Sequence, residues 1–162
     1  MEQKEQLEKF RDLIEDVRVC MMITKSADGE LAARPMSTSK VEEDGSIWFF
    51  TNEYSGKVEE INREHEVFLS YASPAKNTYL SFPGKATISN DRAKMEELWN
   101  PTMKAWFPEG LEDPKIALIN VHPGDAEYWE SNSSKVVFAF NVLKSLVTGK
   151  QYDEGEHGKL SV

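Results

Sequence analysis

Trp48-Phe49-Phe50-Thr51-Asn52-Glu53-Tyr54-Ser55-Gly56-Lys57 is the stretch on which the fold turns. It begins as a strand, because Trp48 to Thr51 are aromatic or β-branched, and it ends at the mouth of a helix. Ser55 is a candidate N-cap, and Val58 and Ile61 supply one apolar stripe beyond it. A helix start leaves about four backbone N–H groups without intrahelical partners and carries partial positive charge. Thr51 and Ser55 add hydroxyls, Gly56 permits close approach and Lys57 adds a full charge, so the stretch can hold a phosphate. The same letters also describe an ordinary capped helix with a solvated lysine.

Working towards the N-terminus, Leu31 to Val41 reads as one strand, with Pro35 marking an edge, a bulge or a ligand-facing break. Val19 to Thr24 is a dense β-prone run before the Ala27-Asp28-Gly29 loop, and Leu7, Phe10, Ile14 and Val17 give an amphipathic helix. Three strands on short loops predict a meander that sets Arg34 beside Ser46 to Thr51. Arg34 and Lys57 then reach one anion, the arginine with bidentate geometry. A surface arginine, or one paired with a nearby glutamate, is the plain alternative.

Towards the C-terminus, Glu66 to Ala72 and Thr78 to Ser89 read as strands. Gly84 marks a bulge or a close backbone approach. Asp91 caps a helix over Ala93 to Trp99, and the prolines from Pro101 to Pro114 predict a loop with short helical turns. Ile116 to Trp129 is a strand broken at Pro123-Gly124. Ser133 or Ser134 is a candidate cap for a last helix with Val136, Phe140, Leu143 and Val147 on one stripe and Gly149 past its end, with a strand as the alternative because the segment is rich in β-branched residues. Residues 1–150 therefore form one domain, and 151–162 a polar tail expected to fray. Strands with helices between and around them give a mainly β, α+β barrel.

The chain has 162 residues, with 19 Lys plus Arg against 28 Asp plus Glu, a net charge of −9. That balance speaks against a broad nucleic-acid surface, which needs clustered cations, but not against one small phosphate site. One cysteine, Cys20, rules out an internal disulfide and a Cys-rich zinc site. It lies among Met21, Met22 and Ile23, where a buried inert thiol is expected. No apolar run approaches the roughly 20 residues of a spanning helix, and the first residues are polar and acidic, unlike a secretory signal. A cytoplasmic protein without a membrane partner is the expectation.

Arg34-Pro35-Met36, then Phe49-Phe50-Thr51-Asn52 with Ser55-x-Lys57, resembles the flavin-binding split barrel of the pyridoxamine 5′-phosphate oxidase superfamily. Tyr79-Leu80-Ser81-Phe82-Pro83-Gly84-Lys85-Ala86, Trp106-Phe107-Pro108-Glu109-Gly110 and Ala126-Glu127-Tyr128-Trp129 follow in the family's order and look most like its bacterial general stress branch. The resemblance spans about Phe10 to Gly149. It implies an antiparallel six-stranded split β-barrel of Greek-key type and a homodimer with flavin at the subunit interface. Arg34 and Lys57 would contact the FMN phosphate with Ser55 and Thr51. Pro35, Met36 and Ser37 would lie along the ring or ribityl chain, Asn52 belongs to the same motif, and Trp106 would cover the flavin.

The implied function is electron transfer between a reduced nicotinamide and a small acceptor, with redox chemistry belonging to the cofactor. A non-catalytic flavin store or sensor, or a split barrel that uses FAD, haem or a deazaflavin, are the other readings. Two departures from the family matter. No arginine follows Arg92, so a substrate phosphate lacks its guanidinium clamp and vitamin B6 oxidation is not expected. Gly56 stands where the family often has an arginine. His65, His122 and His157 show no metal-ligand spacing, and Glu59-Glu60 reads as solvated charge.

Overall fold

Burial alternates with period two along Glu66–Ser73 and Thr78–Ser89, so the sheet there turns one face inward and the other out, whereas Ile116–Pro123 is buried at its first six residues and is covered on both faces. The computed structural model describes residues 1–131, 135–151 and 155–162. Among them the elements run α1 (Gln3–Val17), β1 (Val19–Lys25), β2 (Leu31–Ser37), β3 (Lys40–Val41), β4 (Ile47–Asn52), α2 (Gly56–Glu64), β5 (Glu66–Ser73), β6 (Thr78–Ser89), α3 (Arg92–Leu98), β7 (Ile116–Pro123), β8 (Ala126–Glu130), α4 (Lys135–Thr148) and β9 (Glu156–Leu160). Two 3-10 turns, Pro101–Ala105 and Gly110–Glu112, fill the proline-rich loop as expected.

The sheet is antiparallel in the order β2-β1-β5-β6-β7-β4-β3, with β8 and β9 attached beside β6. β6 makes the curl. Its second half, Gly84 to Ser89, pairs with β7, and its first half, Thr78 to Ser81, pairs with β8. Gly84 is the close approach the sequence predicts, because a Cβ there would sit 2.6 Å from Val121 Cγ1. Pro123-Gly124 is a bend between two strands that share one partner, not a hairpin. The open edges β2 and β3 are joined directly by Thr38-Ser39, whose N–H groups donate to Arg18 O and Trp48 O, both at 2.9 Å.

α1 plugs the half-barrel with Phe10, Leu13 and Ile14, and the Phe10 ring meets Phe82 edge-on at 4.9 Å. Phe49, Leu69, Tyr71, Ile119 and Val121 complete this inner core. A second cluster lies on the outer face, where Phe50, Ile116 and Leu118 meet Met95 and Phe107, with Trp48 and Trp99 packed against it. Asp91 caps α3 by accepting from Lys94 N. Among the described residues, no helix is long and apolar enough to cross a membrane.

Several expectations change. There are nine strands among the described residues, not six, partly because Leu31–Val41 is broken into β2 and β3 at Thr38-Ser39. The first strands do not form a meander: β2 pairs with β1, while β4 lies between β7 and β3. The C-terminal end is not frayed at residues 156–160. Leu160 is fully buried opposite Ala126, and Lys9 Nζ reaches both Glu130 Oε2 and Glu156 Oε1 at 3.1 Å. His157 stacks on Trp129 with ring centroids 4.9 Å apart. α4 forms and ends at Gly149 with positive φ, but Phe140, Leu143 and Val147 of its stripe are exposed. Ser133 and Ser134 lie outside the described residues.

Because Leu160 is buried in the core, Leu160→Ala should lower unfolding stability by about 2–4 kcal/mol. Urea unfolding followed by tryptophan fluorescence measures this. An unchanged midpoint would mean that β9 contributes no packing.

Candidate functional site

The strand that opens the argument ends where the site begins. Asn52 Oδ1 accepts from Tyr54 N at 2.9 Å, and Ser55 N donates to Asn52 O at 3.0 Å, a tight turn that delivers Ser55 to the start of α2. Ser55 has the extended backbone of an N-cap, but its side chain makes no capping bond. Its Oγ instead accepts from Lys57 Nζ at 3.3 Å. A Cβ placed on Gly56 would meet nothing within 4 Å, so the helix mouth is open. Thr51 is buried on the inner face, and its Oγ1 has no hydrogen-bond partner.

α2 then packs across β1 and β6, and this brings Arg34 in. On the inner face of β2, Arg34 donates through Nη1 to Thr24 Oγ1 at 3.2 Å. Its Nη2 lies 3.7 Å from Glu60 Oε2, and the Thr24 hydroxyl donates to the same carboxylate oxygen. Burial, then the nearby Arg34 guanidinium, hold the Lys57 ammonium below the ordinary lysine value. Two cations and one carboxylate therefore share the mouth of α2, and the cation that Glu60 leaves uncompensated is Lys57.

The structure brings Arg34, Ser55 and Lys57 near one another by a route the sequence reading does not foresee, and it leaves the Thr51 hydroxyl buried on the inner face of β4. Arg34 comes close through α2 crossing β1, not through β2 lying beside β4. Pro35 and Ser37 face outward on β2 and are exposed, whereas the Met36 side chain is buried in the core. Asn52 is exposed and occupied by its turn. Trp106 is 76% exposed in the proline-rich loop.

Two residues escape the sequence reading. Glu60 is not solvated charge: only 16% of its side chain is exposed, and it bonds Thr24 and pairs with Arg34. The signal was its position three residues after Lys57, on the flank of the Val58-Ile61 stripe. Thr24 carried no signal beyond strand propensity. Cys20 behaves as expected, since burial pushes its thiol up to about 12. Among the described residues, no group of three or more His, Cys, Asp or Glu is placed to hold a metal ion.

Residues 5–153 match the family described as Pyridoxamine 5′-phosphate oxidase like. The chain belongs to that family. It is 31% identical over 140 residues to Protein bli-3 of Neurospora crassa, covering 80% of this chain and 67% of that protein. The general stress FMN/FAD binding protein from Xanthomonas citri is 30% identical, with TM-score 0.69 over 81% of this chain and 92% of that one. A crystal structure from Jannaschia sp. CCS1, assigned to general stress protein 26, shares the fold at TM-score 0.79 over 98% of this chain and 99% of its own, with 24% identity. Both of these structural relatives of this pyridoxamine 5′-phosphate oxidase like chain are described as general stress proteins.

A depressed lysine has a definite thermodynamic sign. Between its folded and unfolded pKa values the unfolded chain binds more protons, so the penalty of the charged form is full at neutral pH and disappears as pH rises past the unfolded value. Lys57→Met, which keeps the aliphatic stem, should therefore be at least as stable as the ligand-free parent at pH 7, and this advantage should shrink as pH approaches 10. Urea midpoints across pH test it. A variant less stable at pH 7 would show that Lys57 is already neutralised.

Proposed function

We propose that this chain binds a flavin, FMN in particular, and as a homodimer passes electrons between a reduced nicotinamide and a small acceptor. The observation that carries the reading is the half-buried Lys57 beside Arg34 at an open helix start. Such a group of donors fits a terminal phosphate. Arg34 and Lys57 supply charge, Ser55 and Thr51 supply hydroxyls, and the first turn of α2 supplies backbone N–H groups. A phosphate monoester, carrying more charge on one group than a phosphodiester, suits two adjacent cations and favours FMN over FAD. The Xanthomonas citri relative, described as binding FMN/FAD, supports the flavin class.

When bound, the flavin supplies the redox chemistry, and the chain's own residues bind, orient and limit access. The proton-bearing groups nearest the core are not free to take part: Cys20 and Tyr71 are buried and both are pushed up by desolvation. That observation favours, as a second reading, a flavin-holding protein without turnover. The homodimer reading rests on uncovered apolar surface. Val19, Met21, Leu31 and Phe68 face outward from β1, β2 and β5, and Phe140, Leu143, Leu146 and Val147 line α4. Vitamin B6 oxidation is not proposed, because no arginine follows Arg92 to clamp a substrate phosphate.

Fluorescence titration with FMN and with riboflavin tests the phosphate assignment. Arg34→Ala combined with Lys57→Ala should weaken FMN binding by roughly two orders of magnitude or more, since contacts to charged groups contribute about 1.5–3 kcal/mol each. Riboflavin binding should change little. Equal losses for both ligands would remove the two cations from the phosphate. Anaerobic NADPH then divides the readings: prompt bleaching of the loaded protein supports electron transfer, and a persistent yellow colour supports holding.

A further inference from the structure

α4 turns the wrong side towards its own chain. Phe140, Leu143, Leu146 and Val147 recur at three- and four-residue steps and form one stripe. They are 61–80% exposed, whereas Asn141 and Ser145, on the other side of the helix, are partly shielded. None of the helix's described side chains belongs to either core cluster. A helix of 14 residues is marginal in water and takes its stability from packing of an apolar side. β8 and β9 pair as far as Glu130 and Glu156, so α4 lies on an excursion whose two ends are fixed side by side.

The outer face of the sheet is uncovered in a matching way. Ala33, Ile23, Phe68 and Pro83 stand in one row across β2, β1, β5 and β6, and Pro35, Met21, Ser70 and Ser81 stand in the next. Neither row carries a charge. Ile23, Leu31, Phe68 and Pro83 also line a groove of about 810 Å³. Four strands at a spacing of about 4.8 Å span roughly 14 Å. A helix of this length measures about 21 Å, so its stripe is long enough to cross the whole face.

Charge selects the occupant. α4 carries Lys135 and Lys144 and no acidic residue, in a chain with 28 acidic against 19 basic residues. A cationic helix is drawn to an acidic body, and a second copy of this chain is one. The same acidic body is repelled by an anionic lipid surface, which would otherwise suit an apolar helix with lysines.

We propose that α4 is an exchange arm: each chain of the dimer lays the Phe140–Val147 stripe across the outer face of β2, β1, β5 and β6 of the other copy. This rests on the homodimer reading and deepens it. A two-fold axis makes the contact twice, so one dimer holds two arm-on-face contacts.

The test is light scattering of the full chain and of two variants, Leu146→Glu on the arm and Phe68→Lys on the face. The unaltered chain should have twice the 18.5 kDa mass of one copy. Each variant changes both contacts of its own dimer and should weaken association at least about a hundredfold, a loss of about 2.7 kcal/mol. Both should keep the parent circular dichroism, because both side chains are exposed in the single chain. An equimolar mixture of the two variants should recover the dimer mass, since a mixed pair retains one unaltered arm on one unaltered face and sets Glu against Lys in the other contact. Helix-on-helix pairing would be lost in Leu146→Glu but kept in Phe68→Lys, and face-on-face pairing the reverse. Either result, or a mixture that stays monomeric, would overturn the arm exchange and leave the homodimer standing. A monomeric parent chain would remove the homodimer reading together with the arm. Flotation of the parent chain with phosphatidylserine vesicles, lost in Leu146→Glu, would give α4 to a membrane surface and overturn the proposal as well.

Discussion

β6 has to pair with two different strands along one edge, and the change from β8 to β7 falls between Ser81 and Gly84. A side chain at residue 84 would collide with Val121, so the β6–β7 approach exists only because that position has none. From that change of partner follow the curl of the sheet, the pocket that α1 fills with Phe10, and the seat on which α2 lies across β1 and β6. The anion-ready mouth of α2 is a remote consequence of that corner. Its local features are typical of many capped helices, and what distinguishes it is which strand the helix lies against.

That dependence explains what could be read from the chain and what could not. The strand-turn-helix at Trp48 to Lys57 was legible because its signals are local: aromatic residues, an Asx turn, a serine at the cap. Gly84, the Asp91 cap and the proline-rich turns were legible for the same reason. The neighbour of β2 was not, because three strands on short loops look like a meander, and nothing local says that β2 and β3 are opposite edges of one sheet. Arg34 was therefore expected near Lys57 by the wrong path: it arrives there because α2 crosses β1. β9 was missed because an edge strand paired on one side needs little pattern. In Glu156–Leu160 only Leu160 is buried.

Glu60 shows how a residue changes meaning once packing is known. On a helical wheel it belongs with Glu59 as surface charge. In the fold, α2 turns it onto Thr24 and Arg34, where a carboxylate partly out of water needs the hydrogen bond and the opposite charge it finds. The pair fixes the guanidinium beside the mouth of α2 and cancels part of its charge. Lys57 has no such partner, and its pKa is lowered first by burial and then by the Arg34 charge. Beside Lys57 lie the Ser55 hydroxyl, which accepts from it, and the open start of α2.

β4 divides its residues between the two faces of the sheet by the elementary geometry of a strand. Alternate residues face opposite sides, so Ile47, Phe49 and Thr51 point inward while Trp48 and Phe50 point outward. Thr51 thus lies inside the half-barrel, and Trp48 packs against the outer cluster. Three residues of strand separate them by about 10 Å, and the sheet lies between. No single small ligand touches both side chains, so the six residues of β4 answer to two different surroundings.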